Sequence, residues 1–164
     1  MHATPSDVAF TPAVKAIQQR KGSRGAYARM ERGRGWQTAI TPDLADFLAD
    51  LDMFYLGIAN SEGQPYIQYR GGPTGFLKVL DDHTLGFADF GGNRQYVTLG
   101  NLSENPRSFL FLIDYANSRR VKLWGTARAV EADAALLERL RDPAYPGEAE
   151  RAILFTVEAW DVNC

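Results

Sequence analysis

Gln68-Tyr-Arg-Gly-Gly-Pro-Thr-Gly-Phe-Leu-Lys78, then a short acidic turn, then Phe87-Ala-Asp-Phe-Gly-Gly-Asn-Arg-Gln95: on this stretch the reading of the fold turns. It holds two apolar, strand-like cores, each flanked by glycines and by a side chain suited to gripping an anion. A phosphomonoester is held best by guanidinium, ammonium and backbone N–H donors on a rigid scaffold. Arg70 ends one strand, Lys78 lies on the next, and Arg94 follows a Gly-Gly-Asn turn at a helix start, where the helix dipole favours an anion. The spacing thus points to a clamp for a phosphate and a ring. It equally allows plainer roles: Gly71-Gly72-Pro73 as a tight connection, Asn93 as a left-handed turn residue, and Arg70 and Lys78 in surface ion pairs worth under ~1 kcal/mol.

Outward from this stretch the pattern is one of short strands and turns. Phe54 to Ala59 and Pro65 to Arg70 flank the turn Asn60-Ser61-Glu62-Gly63, and Phe76 to Leu80 and Thr84 to Asp89 flank Asp81-Asp82-His83, giving two hairpins. Tyr96, Leu99 and Leu102 recur every three residues and predict a short helix ending before Asn105-Pro106. Phe109 to Ile113 reads as a strand covered on both faces. Val121, Leu123, Gly125 and Ala127 alternate with Lys122, Trp124, Thr126 and Arg128, as in a half-buried strand with a basic outer edge. A helix over Ala132 to Leu140, a loop over Asp142 to Glu150 and a last strand from Ile153 to Trp160 complete this half. About seven strands without βαβ alternation favour an antiparallel barrel with peripheral helices.

The N-terminal third is different. Thr11-Pro12 and Thr41-Pro42 each pair an N-cap with proline at the first helical position, and Leu44, Phe47, Leu48 and Leu51 make one apolar helical face. Between these helices, Lys21 to Trp36 interleaves four glycines with five basic residues. Two readings stand for it: a mobile solvated loop, or a basic lid over an anionic ligand. Residues 1–52 are thus expected to form a helical extension on a barrel of residues 53–164, the whole being one domain.

Composition narrows the function classes. The chain of 164 residues is 45% apolar and 23% charged, as in ordinary globular proteins. A formal charge of −2 argues against a generic nucleic-acid binder. Met1 to Phe10 lacks the features of a secretion signal, and no apolar run approaches the ~20 residues of a membrane span, so a cytoplasmic location without membrane contact is expected. A lone cysteine, Cys164, forms no intrachain disulfide, and His2 and His83 alone give no zinc cluster and no triad.

The run from Phe54 to Val130 resembles the pyridoxamine 5'-phosphate oxidase-like, FMN-binding split-barrel proteins. The resemblance is carried by Arg70-Gly-Gly-Pro-Thr-Gly-Phe-Leu-Lys78, Gly92-Asn-Arg-Gln95, Asn101-Leu-Ser-Glu-Asn-Pro106 and Arg119-Arg-Val-Lys-Leu-Trp-Gly125, in that order. It implies a six-stranded antiparallel split β-barrel that forms a homodimer, with FMN in clefts at the interface. By the same resemblance Phe76, Leu77 and Lys78 line the flavin, Phe87, Ala88 and Asp89 flank its ring, and Asn93, Arg94 and Gln95 lie near the phosphate. Arg70 is included in the cofactor set, and Arg120 stands where the oxidases carry a cofactor-contacting glutamine. The oxidases' Ser-Arg-Lys phosphate motif is Asn93-Arg94-Gln95 here, and their C-terminal segment beyond the last strand has no counterpart before Cys164. FMN binding is therefore a stronger expectation than vitamin B6 chemistry.

The expected function is an FMN-dependent oxidoreductase passing hydride through the flavin to or from a small-molecule or nicotinamide substrate, with no catalytic side chain identified. The alternatives are a non-catalytic flavin- or haem-binding split barrel and a flavin-free interaction module.

Overall fold

The computed structural model describes residues 4–163, apart from the side chain of Asn163; His2 and Cys164 lie outside them. After a 3₁₀ turn at Pro5–Val8 come α1 (Pro12–Lys21), α2 (Arg24–Arg32) and α3 (Pro42–Ala49). Then follow β1 (Met53–Ala59), β2 (Pro65–Gly71), β3 (Lys78–Val79), β4 (Thr84–Asp89), α4 (Val97–Glu104), β5 (Arg107–Asp114), β6 (Arg119–Glu131), α5 (Ala134–Leu140) and β7 (Arg151–Asn163).

The helix starts follow from their sequence signals. The hydroxyls of Thr11 and Thr41 accept the N–H groups of Val14 and Leu44, each at 3.3 Å, with proline next in the chain. Gly22, at φ 82°, ends α1 in the left-handed conformation that glycine adopts without a Cβ clash.

The Lys21 to Trp36 stretch is not a loop: α2 fills its middle. Gly22 and Gly33 bracket the helix, only Gly25 interrupts it, and Ala, Arg, Met and Glu are good helix formers. Tertiary contacts secure it. Arg24 pairs with Glu31, Glu31 accepts the Ser6 hydroxyl, and the Tyr27 ring meets Phe10 edge-on at 5.2 Å.

The strands form one antiparallel sheet of seven, in the order β2-β1-β5-β6-β7-β4-β3, against the six-stranded barrel expected. The expected Phe76 to Leu80 strand shrinks to Lys78–Val79 because the Phe76 N–H turns back to Pro73 and the Gly75 N–H, at φ 77°, binds Leu51. Inward positions alternate along the strands: Phe54, Leu56 and Ile58 on β1, Leu110 and Leu112 on β5, and Val121, Leu123 and Ala127 on β6 are buried. Phe87, Ile153 and Phe155 join them, and Leu44, Phe47, Leu48 and Leu51 bring the apolar side of α3 into the same core.

The N-terminal segment covers the outer side of β6 and β7. Trp36 stacks on Trp124 at 4.6 Å, Gln37 bridges to Trp160, and the Trp160 indole N–H donates to the Ala39 carbonyl at 2.8 Å. Among the described residues no helix is long and apolar enough to cross a membrane.

A small pH-dependent clasp begins this segment. The Lys15 ammonium donates to Asp7 at 2.6 Å and, against the opposing effect of burial, lowers the carboxyl pKa to about 2. A carboxyl depressed by folding stabilises above its unfolded pKa, and that stability is lost as pH falls from about 4 through about 2. After solvent screening the contribution is about 1 kcal/mol. Urea denaturation at pH 7 should show Asp7→Asn weaker than wild type by this amount, with the two converging near pH 2.

Candidate functional site

The sheet curls until its two ends face each other. No backbone pairing joins β2 to β3 or β4 among the described residues. Side chains bridge the seam instead. Asp89, at the end of β4, accepts Arg70 of β2 through one carboxylate oxygen and Arg151 of β7 at 2.8 Å through the other. Arg151 also pairs with Glu150 and, at 3.4 Å, with Glu131. Asp89 and Arg151 are 5% and 6% exposed, so this is a buried network rather than a solvated ion pair. Burial works against the Arg151 charge, but Asp89 and Glu150 more than offset it and hold its pKa above the ordinary guanidinium value.

Two cavities flank the network. The first, of about 330 Å³, is polar and is bounded by Gln68, Arg70 and Asp89, by the turn of residues 91–95, and by the first turn of α4. That turn is strained. Gly92, Arg94 and Tyr96 all have positive φ, of 52°, 59° and 55°, and two of them carry side chains that this region disfavours. The Asn93 carboxamide oxygen accepts the Gln95 N–H at 3.2 Å and fixes the bend. Tyr96, the N-cap of α4, makes no side-chain cap, so the helix begins with donors unclaimed by a capping side chain, facing this cavity.

The second cavity, of about 310 Å³, is mostly apolar and lies between the β2–β3 connection, β4, α5 and residues 141–149. Phe76, Phe87 and Ala88 form one side and Leu137 and Leu140 another. Arg70 and Phe90 line both cavities and form the partition between them. The Arg70 guanidinium stacks over Phe87 at 5.3 Å, while its Nε is buried without a hydrogen-bond acceptor. A buried unpaired donor costs stability unless a bound group satisfies it.

The residues singled out in the sequence therefore separate into groups. Asp89, Asn93, Arg94 and Gln95 line the polar cavity, Phe76, Phe87 and Ala88 line the apolar one, and Arg70 belongs to both. Leu77 is buried in the core. Lys78 lies on the edge strand β3 and lines neither cavity. Its row across the sheet runs through Gly86 and Leu154 to Arg128, so Arg120 lies eight positions away along β6, ~26 Å within one chain.

Sequence reasoning missed Arg151, which meets Asp89 across 62 residues, and the whole contribution of α5 and its following loop to the apolar cavity. Glu150-Arg151 at the end of a Pro- and Gly-containing loop was a faint signal, and Tyr145, packed on Phe90 at 5.0 Å, lay in the same loop. Among the described residues no cluster of His, Cys, Asp or Glu is arranged to hold a metal.

The fold has relatives among solved structures. HupZ of Group A Streptococcus matches with a TM-score of 0.60 and 19% identity, over 75% of this chain and 93% of that one. An FMN-binding protein from Syntrophomonas wolfei matches with a TM-score of 0.59 and 14% identity, over 89% and 97%. A protein related to general stress protein 26, of the pyridoxinephosphate oxidase family, from Clostridium acetobutylicum gives 0.55 and 16%, over 72% and 83%. At such identities these matches establish the split-barrel fold alone, and a comparison with curated proteins finds no significant match. The sequence itself carries the membership: the family model for pyridoxamine 5'-phosphate oxidase matches residues 40–164, and this chain belongs to the pyridoxamine 5'-phosphate oxidase family.

Proposed function

We propose that this chain binds FMN and acts as a flavin-dependent oxidoreductase on a small-molecule or nicotinamide substrate, as one domain in the cytoplasm. The observation that carries the reading is the polar cavity itself. A helix start without a side-chain cap, Arg94 and a strained glycine turn all border it, which is the donor chemistry a phosphate requires. Asn93, Arg94 and Gln95 would hold the phosphate end. Arg70, with its unpaired Nε, and Phe90 would meet the ring at the partition between the cavities. Kinship with the FMN-binding protein of S. wolfei in fold is consistent with this assignment.

When bound, the flavin supplies hydride transfer, and the protein supplies orientation and electrostatics. Within this chain Arg94 offers charge and bidentate donors, Asn93 holds the turn that presents it, and the buried network keeps Arg70 at the partition. The one described histidine, His83, is exposed in the β3–β4 turn and lines neither cavity, so among the described residues neither cavity offers a histidine to a haem iron.

The test is a flavin titration of the purified protein. Wild type should bind FMN with the absorbance of a yellow protein, and Arg94→Glu should weaken binding about 10- to 100-fold, the range expected for losing a charge-assisted hydrogen bond. Equal affinity in the two proteins removes the clamp. Oxidoreductase activity is tested separately, by whether NADH or NADPH bleaches the bound flavin.

The working unit proposed is a homodimer with the cofactor at its interface, in which Lys78 and Arg120 act toward a site of the second copy. An exposed apolar face on β1, β2 and β5 supports it: Ile67 and Tyr69 are 70% and 60% exposed, beside Tyr55 and Phe111. Replacing Ile67 and Tyr69 together by aspartate should shift the mass measured by light scattering from dimer to monomer. A wild-type protein that is already monomeric contradicts this part.

A further inference from the structure

The apolar cavity has a chemistry of its own that the phosphate clamp does not use. Its walls are rings and aliphatic side chains, with Phe76 and Phe87 on one side, Leu137 and Leu140 on another, and Phe90 and Tyr145 in contact at the mouth. Its volume of about 310 Å³ is at the small end of the ligand-pocket range of about 300–1,000 Å³. Only a compact molecule fits.

The charges around it are unequal. Five charged side chains line the cavity: Arg70, Glu138, Arg141, Asp142 and Glu148. The Arg70 guanidinium is committed to Asp89 and Arg141 faces Glu138 at 3.7 Å, so both cations are already matched by carboxylates. Asp142 caps the turn at Ala144 through its carboxylate and, with Glu148, leaves the rim with uncompensated negative charge. A carboxylate rim around an apolar interior repels a phosphate dianion, which would also lose its hydration there. A ring carrying an alkylammonium group can bury the ring and keep the charge at the rim, where the carboxylates and the faces of Phe90 and Tyr145 attract it.

We infer that this cavity is the substrate pocket and that it takes a compact planar aromatic molecule without an anionic group, best of all one carrying a protonated aminoalkyl group. As a substrate assignment this rests on the flavin reading above; as a statement about the cavity's preference it does not. The two adjoining cavities then divide the labour by charge: one receives the phosphate of the cofactor, and the other excludes phosphate from the substrate.

Three probes with one ring system test it: naphthylmethylamine, naphthylmethanol and naphthylmethyl phosphate, titrated by calorimetry into the protein as purified and after loading with FMN. The amine and the alcohol should bind, and the phosphate should bind at least ~10-fold more weakly than the amine. Ala134→Trp, on the exposed side of α5 at the cavity wall, should abolish amine binding while leaving the FMN affinity unchanged. Glu148→Lys should narrow the gap between amine and phosphate and leave the alcohol unaffected. Phosphate binding as tightly as the amine, or amine binding unaltered by Ala134→Trp, overturns the inference. A protein that takes up no FMN yet ranks the probes as stated refutes the cofactor reading and leaves the cavity's preference standing. A yellow protein that ranks them in reverse does the opposite.

Discussion

Replacing Asp89 by alanine is expected to cost about 3–5 kcal/mol of folding stability, the loss typical when one member of a buried ion network is removed and its partners stay behind. Asp89 is the acceptor for two guanidiniums at once, Arg70 across the open seam and Arg151 on the neighbouring strand. Without it both cations remain in a site with little access to water, and Arg70 already has one buried donor unsatisfied. Set against a domain stability of roughly 5–15 kcal/mol, this loss is large. Because no strand pairing joins β2 to β4, it should also appear locally, as faster amide exchange on β2 than on β6. Urea denaturation of Asp89→Ala beside Arg70→Met separates two accounts. Arg70→Met leaves Asp89 paired with Arg151 and should cost clearly less. A loss below about 1 kcal/mol for Asp89→Ala would mean that the carboxylate does not close the seam.

Gly125→Ala should destabilise by about 3 kcal/mol or more, at the top of the range for overpacking. Gly125 lies at the β-bulge where the register between β6 and β7 shifts. A methyl group added there would be driven into the Thr156 carbonyl, far inside van der Waals contact, and would meet the Phe155 ring at 2.9 Å. The first obstacle is backbone of the adjacent strand, so no rotamer change relieves it. The comparison is Gly63→Ala in the β1–β2 turn, where the added methyl meets nothing and only the positive φ of 85° is strained. The thermal midpoint should fall several times further for Gly125→Ala than for Gly63→Ala. Equal shifts would show that β6 and β7 can part at the bulge without cost.

Much of the fold was legible because its signals are local. Thr11-Pro12 and Thr41-Pro42 located two helix starts, and the alternation from Val121 to Ala127 located the strand β6 with its buried side. In Lys21 to Trp36 composition pulls against context: its glycines and basic residues read as a solvated loop or a basic lid, while Glu31, Ser6 and Phe10 hold a helix there. In the candidate site, Asn93, Arg94 and Gln95 stood out together because the turn they form is contiguous in sequence, and all three line the polar cavity. The apolar cavity was not found, since Leu137 and Tyr145 read as ordinary helix and loop residues until α5 is folded against β4.

Residues within a few positions of one another were enough for most of the strands, two helix starts, the antiparallel strand-rich class and the turn of residues 91–95. Three features come from folding instead: the sheet stays open at β2, Asp89 draws Arg70 and Arg151 into one buried network, and two cavities of opposite polarity share Arg70 and Phe90. The reason is the curl of the sheet. It brings β2, first in the strand order, against β4 near the other end, and a contact made by that closure has no period, spacing or motif in the chain that announces it.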